Sequence, residues 1–186
     1  MKLKKGVFPF APEQGWAMAS FDCGCRELDV FLRDRLALQQ QRNVLRAWVL
    51  LTNEPEPAIA GYYTLSGASF EKAFFGNMRR QIPYANAPCI LLGRLAIDKR
   101  FAGKGLGSML VADAARRVYE VARTVGVYAL FVEAKDEQAA AFYQKLGFIP
   151  VQTTDERKRL FFPVNALDTL LSPPVIKDSG PVRPAR

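Results

Sequence analysis

A run of nine residues, Cys89 to Ile97 (CILLGRLAI), is too apolar to face water, and its continuation narrows how the chain can fold. The run stops at Asp98. It passes into a loop carrying Gly103, Gly105 and Gly107 and then into a helical pattern from Gly105 to about Thr124. A short apolar run of this kind reads as a strand buried on both faces. In the helix, Leu106, Leu110, Ala114, Val118, Val121 and Val125 form one stripe, with Arg116, Arg117, Glu120 and Arg123 outside it. Gly126 stands where a C-cap is expected. A buried strand, a glycine turn and an amphipathic helix in succession belong to a layered α/β domain.

The remaining chain fits one such domain. Leu28, Phe31, Leu32 and Leu36 give helical spacing within Ser20–Arg42. Ala47–Thr52 and Ile59–Phe70 read as antiparallel strands joined through Pro55 and Pro57. Residues 71–88, with Gly76, Pro83 and Pro88, read as a long basic loop or a broken helix. Tyr128–Ala134 is a second buried strand, Glu137–Leu146 a helix closed by Gly147, Phe148–Gln152 a strand, and Arg159–Phe162 the last one. The expected fold is α/β (α+β), a mixed central β-sheet flanked by helices in a single domain over residues 1–171. The Pro-rich tail 172–186 is expected to be disordered.

The glycine loop, Gly103-Lys104-Gly105-Leu106-Gly107-Ser108, carries the chemistry. Alternating glycines let backbone approach a ligand closely, and the helix behind presents free N–H groups and a positive dipole end to an anion. The expected ligand is a phosphate or pyrophosphate. A P-loop is excluded because position 98 is Asp and not the glycine that G-x-x-x-x-G-K requires. A Rossmann G-x-G-x-x-G is excluded because Gly107 comes one residue early. A lone G-x-G-x-G is also compatible with a tight turn that binds nothing.

Composition removes other chemistries. There is no histidine, so Ser-His-Asp and Cys-His nucleophile systems and His-ligated zinc are impossible. Cys23, Cys25 and Cys89 are odd in number and lack C-x-x-C spacing, which speaks for reduced thiols in the cytoplasm and against a disulfide framework or a Cys₄ metal site. Pro9 and Pro12 interrupt the N-terminal segment, so no signal peptide is expected. No stretch reaches the roughly 20 apolar residues of a membrane span. Lys and Arg number 26 against 18 Asp and Glu, a formal net charge of +8, and this favours polyanionic partners.

Taken together, LGRLAID, the glycine loop, the long helix, the VEA strand and DEQAAAFYQKLGF resemble the GNAT (Gcn5-related N-acetyltransferase) family from Ala47 to Gln152. The resemblance implies acetyl-CoA as co-substrate and no metal. The family's pyrophosphate segment, R/Q-x-x-G-x-G/A, falls on Ala102–Gly107, with Ala102 in place of the usual Arg or Gln. Lys104 and Arg100 are the nearest cations to replace that charge. The family's N-x-x-A-x-x-x-Y segment falls on Asp136, Ala139 and Tyr143, with Asp for Asn. It implies that Tyr143 protonates the departing CoA thiolate and that Leu95, Ala96 and Ile97 supply backbone donors to the thioester oxygen. A packing role beside Phe142 and Phe148 is the other reading of Tyr143, but only one of Phe142 and Tyr143 can face the cofactor, and with no histidine Tyr143 is the preferred acid. Glu133 and Asp98 are the carboxylates at hand for a base, and neither stands out.

Across Phe21–Phe162 the chain is also similar to the TacT-type acetyltransferase toxins of toxin–antitoxin modules, through FDCGCRELDVFL, GYYTLSGAS and AKDEQAAAFYQKLGF. That implies a substrate (the free α-amine of aminoacyl-tRNA), a ribbon-helix-helix antitoxin and a homodimer. Arg79, Arg80, Arg94, Lys99, Arg100 and Lys104 are the candidate contacts to tRNA or CoA phosphates, with a structural ion pair the other reading for Arg94. Two further readings stay open: a GNAT enzyme acting on protein N-termini or a small amine, and a module that binds acyl-CoA without turnover.

Overall fold

The structure is a computed structural model, and it describes residues 2–151 and 156–171. The expected tail 172–186 and the end of the Phe148–Gln152 strand lie outside the described residues.

Seven strands form one sheet in the order β1-β2-β3-β4-β5-β7-β6 among the described residues. They are β1 Phe8–Pro9, β2 Arg46–Leu51, β3 Ile59–Glu71, β4 Asn86–Ile97, β5 Ala129–Ala134, β6 Ile149–Pro150 and β7 Lys158–Pro163. β4 and β5 pair in parallel and every other neighbouring pair is antiparallel. The parallel pair is connected by the long helix α3, Leu106–Ala122, as a crossover requires.

Side-chain alternation assigns the two faces. Leu50, Tyr63, Leu130 and Leu160 turn to one face and pack with Leu110, Ala114 and Val118 of α3 and with Ala140 and Tyr143 of α4, Glu137–Lys145. Helix α5, Val164–Leu171, completes this layer with Val164 and Leu167. Their strand neighbours Val49 and Tyr62 turn the other way and meet Phe31, Leu32 and Leu36. Further along that second face, Phe131 and Phe161 pack under Phe75.

Several expectations are corrected. The Ser20–Arg42 helix begins only at Arg26 and is interrupted: α1 covers Arg26–Val30, a π turn covers Phe31–Arg35, and α2 covers Leu36–Gln41. The π turn brings Phe31 and Leu32 under the sheet together. α3 stops at Ala122 with Arg123 as its cap, before the expected Thr124, so Gly126 caps nothing. Val121 and Val125 stay 42% and 62% exposed, and the buried stripe of α3 ends at Val118. For the 71–88 segment the broken-helix reading holds over Lys72–Gln81, which is 3-10 in form and split at Gly76, where φ is 53°. β1 and α5 are not among the expected elements: β1 is two residues long, and α5 is only about two turns, although Val164, Leu167 and Leu171 stand at helical spacing in it.

Candidate active site

β4 and β5 stay together only from Cys89–Leu92 against Ala129–Val132. Beyond that, Arg94–Ile97 continue with β3 alone, while Glu133 and Ala134 continue with β7. The cause is local. Thr64 faces Arg94 and Leu65 faces Leu92, which leaves Gly93 as an extra residue on β4, and such a bulge bends its strand and adds twist. A side chain there would press on Thr64 Oγ1 at 3.3 Å, which accounts for glycine at this point.

The divergence opens a cleft of about 530 Å³ lined by Leu91–Ile97 on one side and by Glu133, Ala134, Lys135, Ala139 and Tyr143 on the other. Asp98 N–H donates to Ala60 O at 2.9 Å, inside the β3–β4 ladder. Successive residues of an extended strand send their amides to opposite sides, so Ala96 also donates toward β3. Leu95 and Ile97 direct theirs into the cleft. Of the three expected donors, Leu95 and Ile97 face the cleft and Ala96 faces β3.

α4 sets Tyr143 on the opposite wall. The helix starts at Asp136, whose Oδ1 accepts from Ala139 N–H at 2.8 Å. Asp therefore caps the helix at the family's Asn position. Tyr143 is 8% exposed, edge-on to Phe142 at 5.1 Å and to Phe148 at 5.3 Å. No hydrogen bond from a described residue engages its hydroxyl, and no buried side-chain polar atom among the described residues lacks a partner, so the hydroxyl opens to the cleft. Burial pushes its pKa up to about 12, which keeps the phenol protonated at neutral pH. Phe142 turns elsewhere: its ring lies 3.4 Å from where a Cβ on Gly107 would be, and it holds α4 against α3.

The glycine loop lies between the end of β4 and α3. Gly103 and Gly105 have φ of 74° and 73°, conformations costly for any side chain. Met109 N–H is bonded to Gly105 O, the first intrahelical bond, so the amides of Leu106, Gly107 and Ser108 ahead of it have no helical acceptor. These amides are open to an anion.

The candidate cations divide. Arg100 is gripped by Asp98 through two hydrogen bonds, and Lys99 pairs with Asp22 at 3.1 Å. Lys104 stands over the Phe101 ring, 5.7 Å from its centre, and remains at the loop. Ala102 is exposed and offers nothing to a phosphate. Arg79 and Arg80 are exposed at the end of the 72–81 helix, by the end of the sheet where β4 begins, and the twelve residues of β4, at about 3.3 Å each, run from there toward the glycine loop. Arg94 lines the cleft with its guanidinium 3.6 Å above the centre of the Phe31 ring.

Of the two carboxylates, Asp98 is 1% exposed and committed to Arg100, which removes it as a base. Glu133 lines the cleft and accepts from Arg159 Nε at 3.0 Å. The second face adds Cys23, Cys25, Glu27 and Leu28 to the lining; sequence reasoning takes the two cysteines as reduced thiols and Leu28 as helix packing, and gives none of the four a place in the site. Burial pushes the Cys23 thiol up to about 12, so it is a poor nucleophile. Among the described residues no group of three or more Cys, Asp or Glu is placed to hold a metal ion. No described helix is long and apolar enough to cross a membrane.

Comparison with known proteins agrees with this geometry. The model of the acetyltransferase (GNAT) domain matches residues 45–150. A tRNA-acetylating toxin of Mycobacterium tuberculosis (strain ATCC 25618 / H37Rv) is 35% identical over 132 residues, covering 70% of this chain and 77% of the toxin. The toxin AtaT, solved in complex with acetyl-methionyl-tRNAfMet, superposes with a TM-score of 0.85 at 39% identity, covering 90% of this chain and 99% of that one. A tyrosine-to-phenylalanine mutant of AtaT, bound to acetyl-CoA and to the C-terminus of the antitoxin AtaR, gives a TM-score of 0.80 at 36% identity over 93% of this chain and 100% of that one. The matched span includes the divergent strands, the glycine cradle and the Tyr143 helix: the chain belongs to the GNAT acetyltransferase family.

Proposed function

We propose that this protein is the toxin of a toxin–antitoxin pair, an acetyl-CoA-dependent N-acetyltransferase that modifies the α-amine of aminoacyl-tRNA and so blocks translation. The observation that carries the reading is the cleft itself, with two unpaired strand amides on one wall and a protonated phenol on the other. The relatives that acetylate tRNA or bind acetyl-CoA support it.

The chemistry derives from the placement. The pyrophosphate of acetyl-CoA rests on the amides of Leu106, Gly107 and Ser108, made accessible by Gly103, Gly105 and Gly107, with Lys104 beside it. The thioester carbonyl lies along β4, where Leu95 and Ile97 N–H groups receive the oxygen as it gains negative charge. The amine attacks the carbonyl carbon, the tetrahedral intermediate collapses, and the C–S bond breaks. Tyr143 gives its proton to the departing sulfur. An aminoacyl ester amine is less basic than lysine, so a large share of it is uncharged near neutral pH; the proton it sheds on acylation passes to solvent, from which Tyr143 recovers its own.

The acceptor side takes the charge that CoA leaves unused. Arg79 and Arg80, distant from the glycine loop, and Arg94 in the cleft contact tRNA, and the net charge of +8 assists encounter. The site works in the cytoplasm, where charged tRNA is found, and the partner that silences it is a ribbon-helix-helix antitoxin acting on a homodimer.

Labelled acetyl-CoA offered with charged tRNA, uncharged tRNA and peptides tests the proposal. Label on charged tRNA alone is expected. Label confined to peptides overturns it, as does CoA binding without turnover on any amine.

A further inference from the structure

Three planar groups of different kinds meet on the acceptor side of the cleft. Tyr62 is stacked with Phe31, their planes 18° apart, and the Arg94 guanidinium lies over the Phe31 ring at 3.6 Å. The stack is fixed from below: Tyr62 is fully buried and its hydroxyl donates to Leu28 O at 2.9 Å. Phe31 is held under the sheet by the π turn. Arg94 itself comes directly after the Gly93 bulge and immediately precedes Leu95.

Arg94 is thus oriented with unusual care for a cation that no carboxylate answers. Among the described residues it makes no ion pair and no side-chain hydrogen bond, whereas Arg100, Arg116, Arg117 and Arg159 are each matched to an acid. A ring under one face of a guanidinium leaves its N–H edge free to act as a fork for two oxygens of one anion.

We propose that Arg94, mounted on Phe31, is the anchor for the phosphodiester of the acceptor's terminal nucleotide, the phosphate next to the aminoacylated ribose. The assignment rests on the acetylation of aminoacyl-tRNA proposed above and specifies how that substrate is registered. Leu95 N–H addresses the reacting carbonyl, so its neighbour's long side chain reaches one ribose away from the reacting amine. A cation at that distance fixes where the amine stands and distinguishes a nucleotide-borne amine from a free one.

The test compares two acceptors on the full-length enzyme: charged tRNA, and the methyl ester of the same amino acid, which has the amine but no phosphate. Arg94→Ala is expected to raise KM for charged tRNA by about 10- to 100-fold, the worth of a charge-assisted pair, with KM for acetyl-CoA unchanged. The methyl ester is expected to lose far less than charged tRNA does. The salt dependence of tRNA binding should flatten by about 0.7 in log–log slope. Arg94→Lys, which keeps the charge and loses the fork, should recover part of the KM. Equal losses on tRNA and ester would reassign Arg94 to shaping the amine site and overturn the proposal, as would no loss on either. A wild-type enzyme that acetylates no charged tRNA at all would instead sink the proposed function, and the wild-type control reads that separately. Melting temperature and acetyl-CoA affinity of each variant guard against misfolding.

Discussion

Asp98 grips Arg100 at both ends of its carboxylate, Nε to Oδ1 at 2.9 Å and Nη2 to Oδ2 at 2.7 Å. The same carboxylate accepts from the backbone amides of Arg100 and Asp22, tying the segment before α1 to the start of the glycine loop. Burial by itself would raise the Asp98 carboxyl, but the bonds from Arg100 and from the two amides outweigh it and hold the pKa below the usual carboxylate range. A lowered carboxylate stabilises the fold above its unfolded value of about 4 and loses that contribution as the pH falls through the folded value. Asp98→Asn should cost about 2–3 kcal/mol near neutral pH, less than a fully buried pair because Arg100 can rehydrate. It should also flatten the acid limb of a stability curve followed by urea unfolding from pH 6 to pH 2. An unchanged acid limb would show that other carboxylates govern it.

Tyr143→Phe removes one hydroxyl from a ring that keeps its contacts to Phe142 and Phe148. Acetyl-CoA affinity by calorimetry should be unchanged, with kcat lower by about 100-fold or more. A variant with wild-type kcat would leave Tyr143 a packing residue.

Gly105 tests the cradle through strain, because a Cβ there meets nothing within 4 Å while φ is 73°. Gly105→Ala should cost about 1–2 kcal/mol and distort the N-terminal turn of α3. A rise in KM for acetyl-CoA with KM for the acceptor unchanged is the expected outcome of steady-state kinetics. The reverse pattern would place the cofactor elsewhere.

Arg79 and Arg80 should act only on the acceptor. The double alanine variant is expected to weaken tRNA binding and to lower its log–log salt slope by about 1.4, at unchanged acetyl-CoA affinity. Filter binding across salt concentrations measures it, and a wild-type slope would remove both residues from the interface.

What could be read from the sequence was local. The Cys89–Ile97 strand, the glycine loop and α4 announced themselves because buried runs, alternating glycines and helical spacing are short-range signals. The cleft did not, because it is made by a mismatch between Thr64 and Gly93, residues 29 positions apart whose register no periodicity encodes. Arg100 illustrates the same limit: its charge is legible, while its commitment to Asp98 depends on a turn that folds it back. Ala96 fails for a simpler reason, since period-two alternation gives every second amide to the neighbouring strand, and which half is free depends on pairing. The π turn at Phe31 was hidden by a spacing that an ordinary helix would also satisfy.

The parting of β4 from β5 has a kinetic meaning. Its lining comes from both faces of the sheet, Tyr143 from one and Cys23 and Leu28 from the other, so donor and acceptor can occupy it together without crossing paths. The expected transfer is then a single displacement, with the acetyl group never resting on the protein. Double-reciprocal plots for the two substrates should intersect instead of running parallel, and the enzyme should stay at its unmodified mass when it meets acetyl-CoA alone.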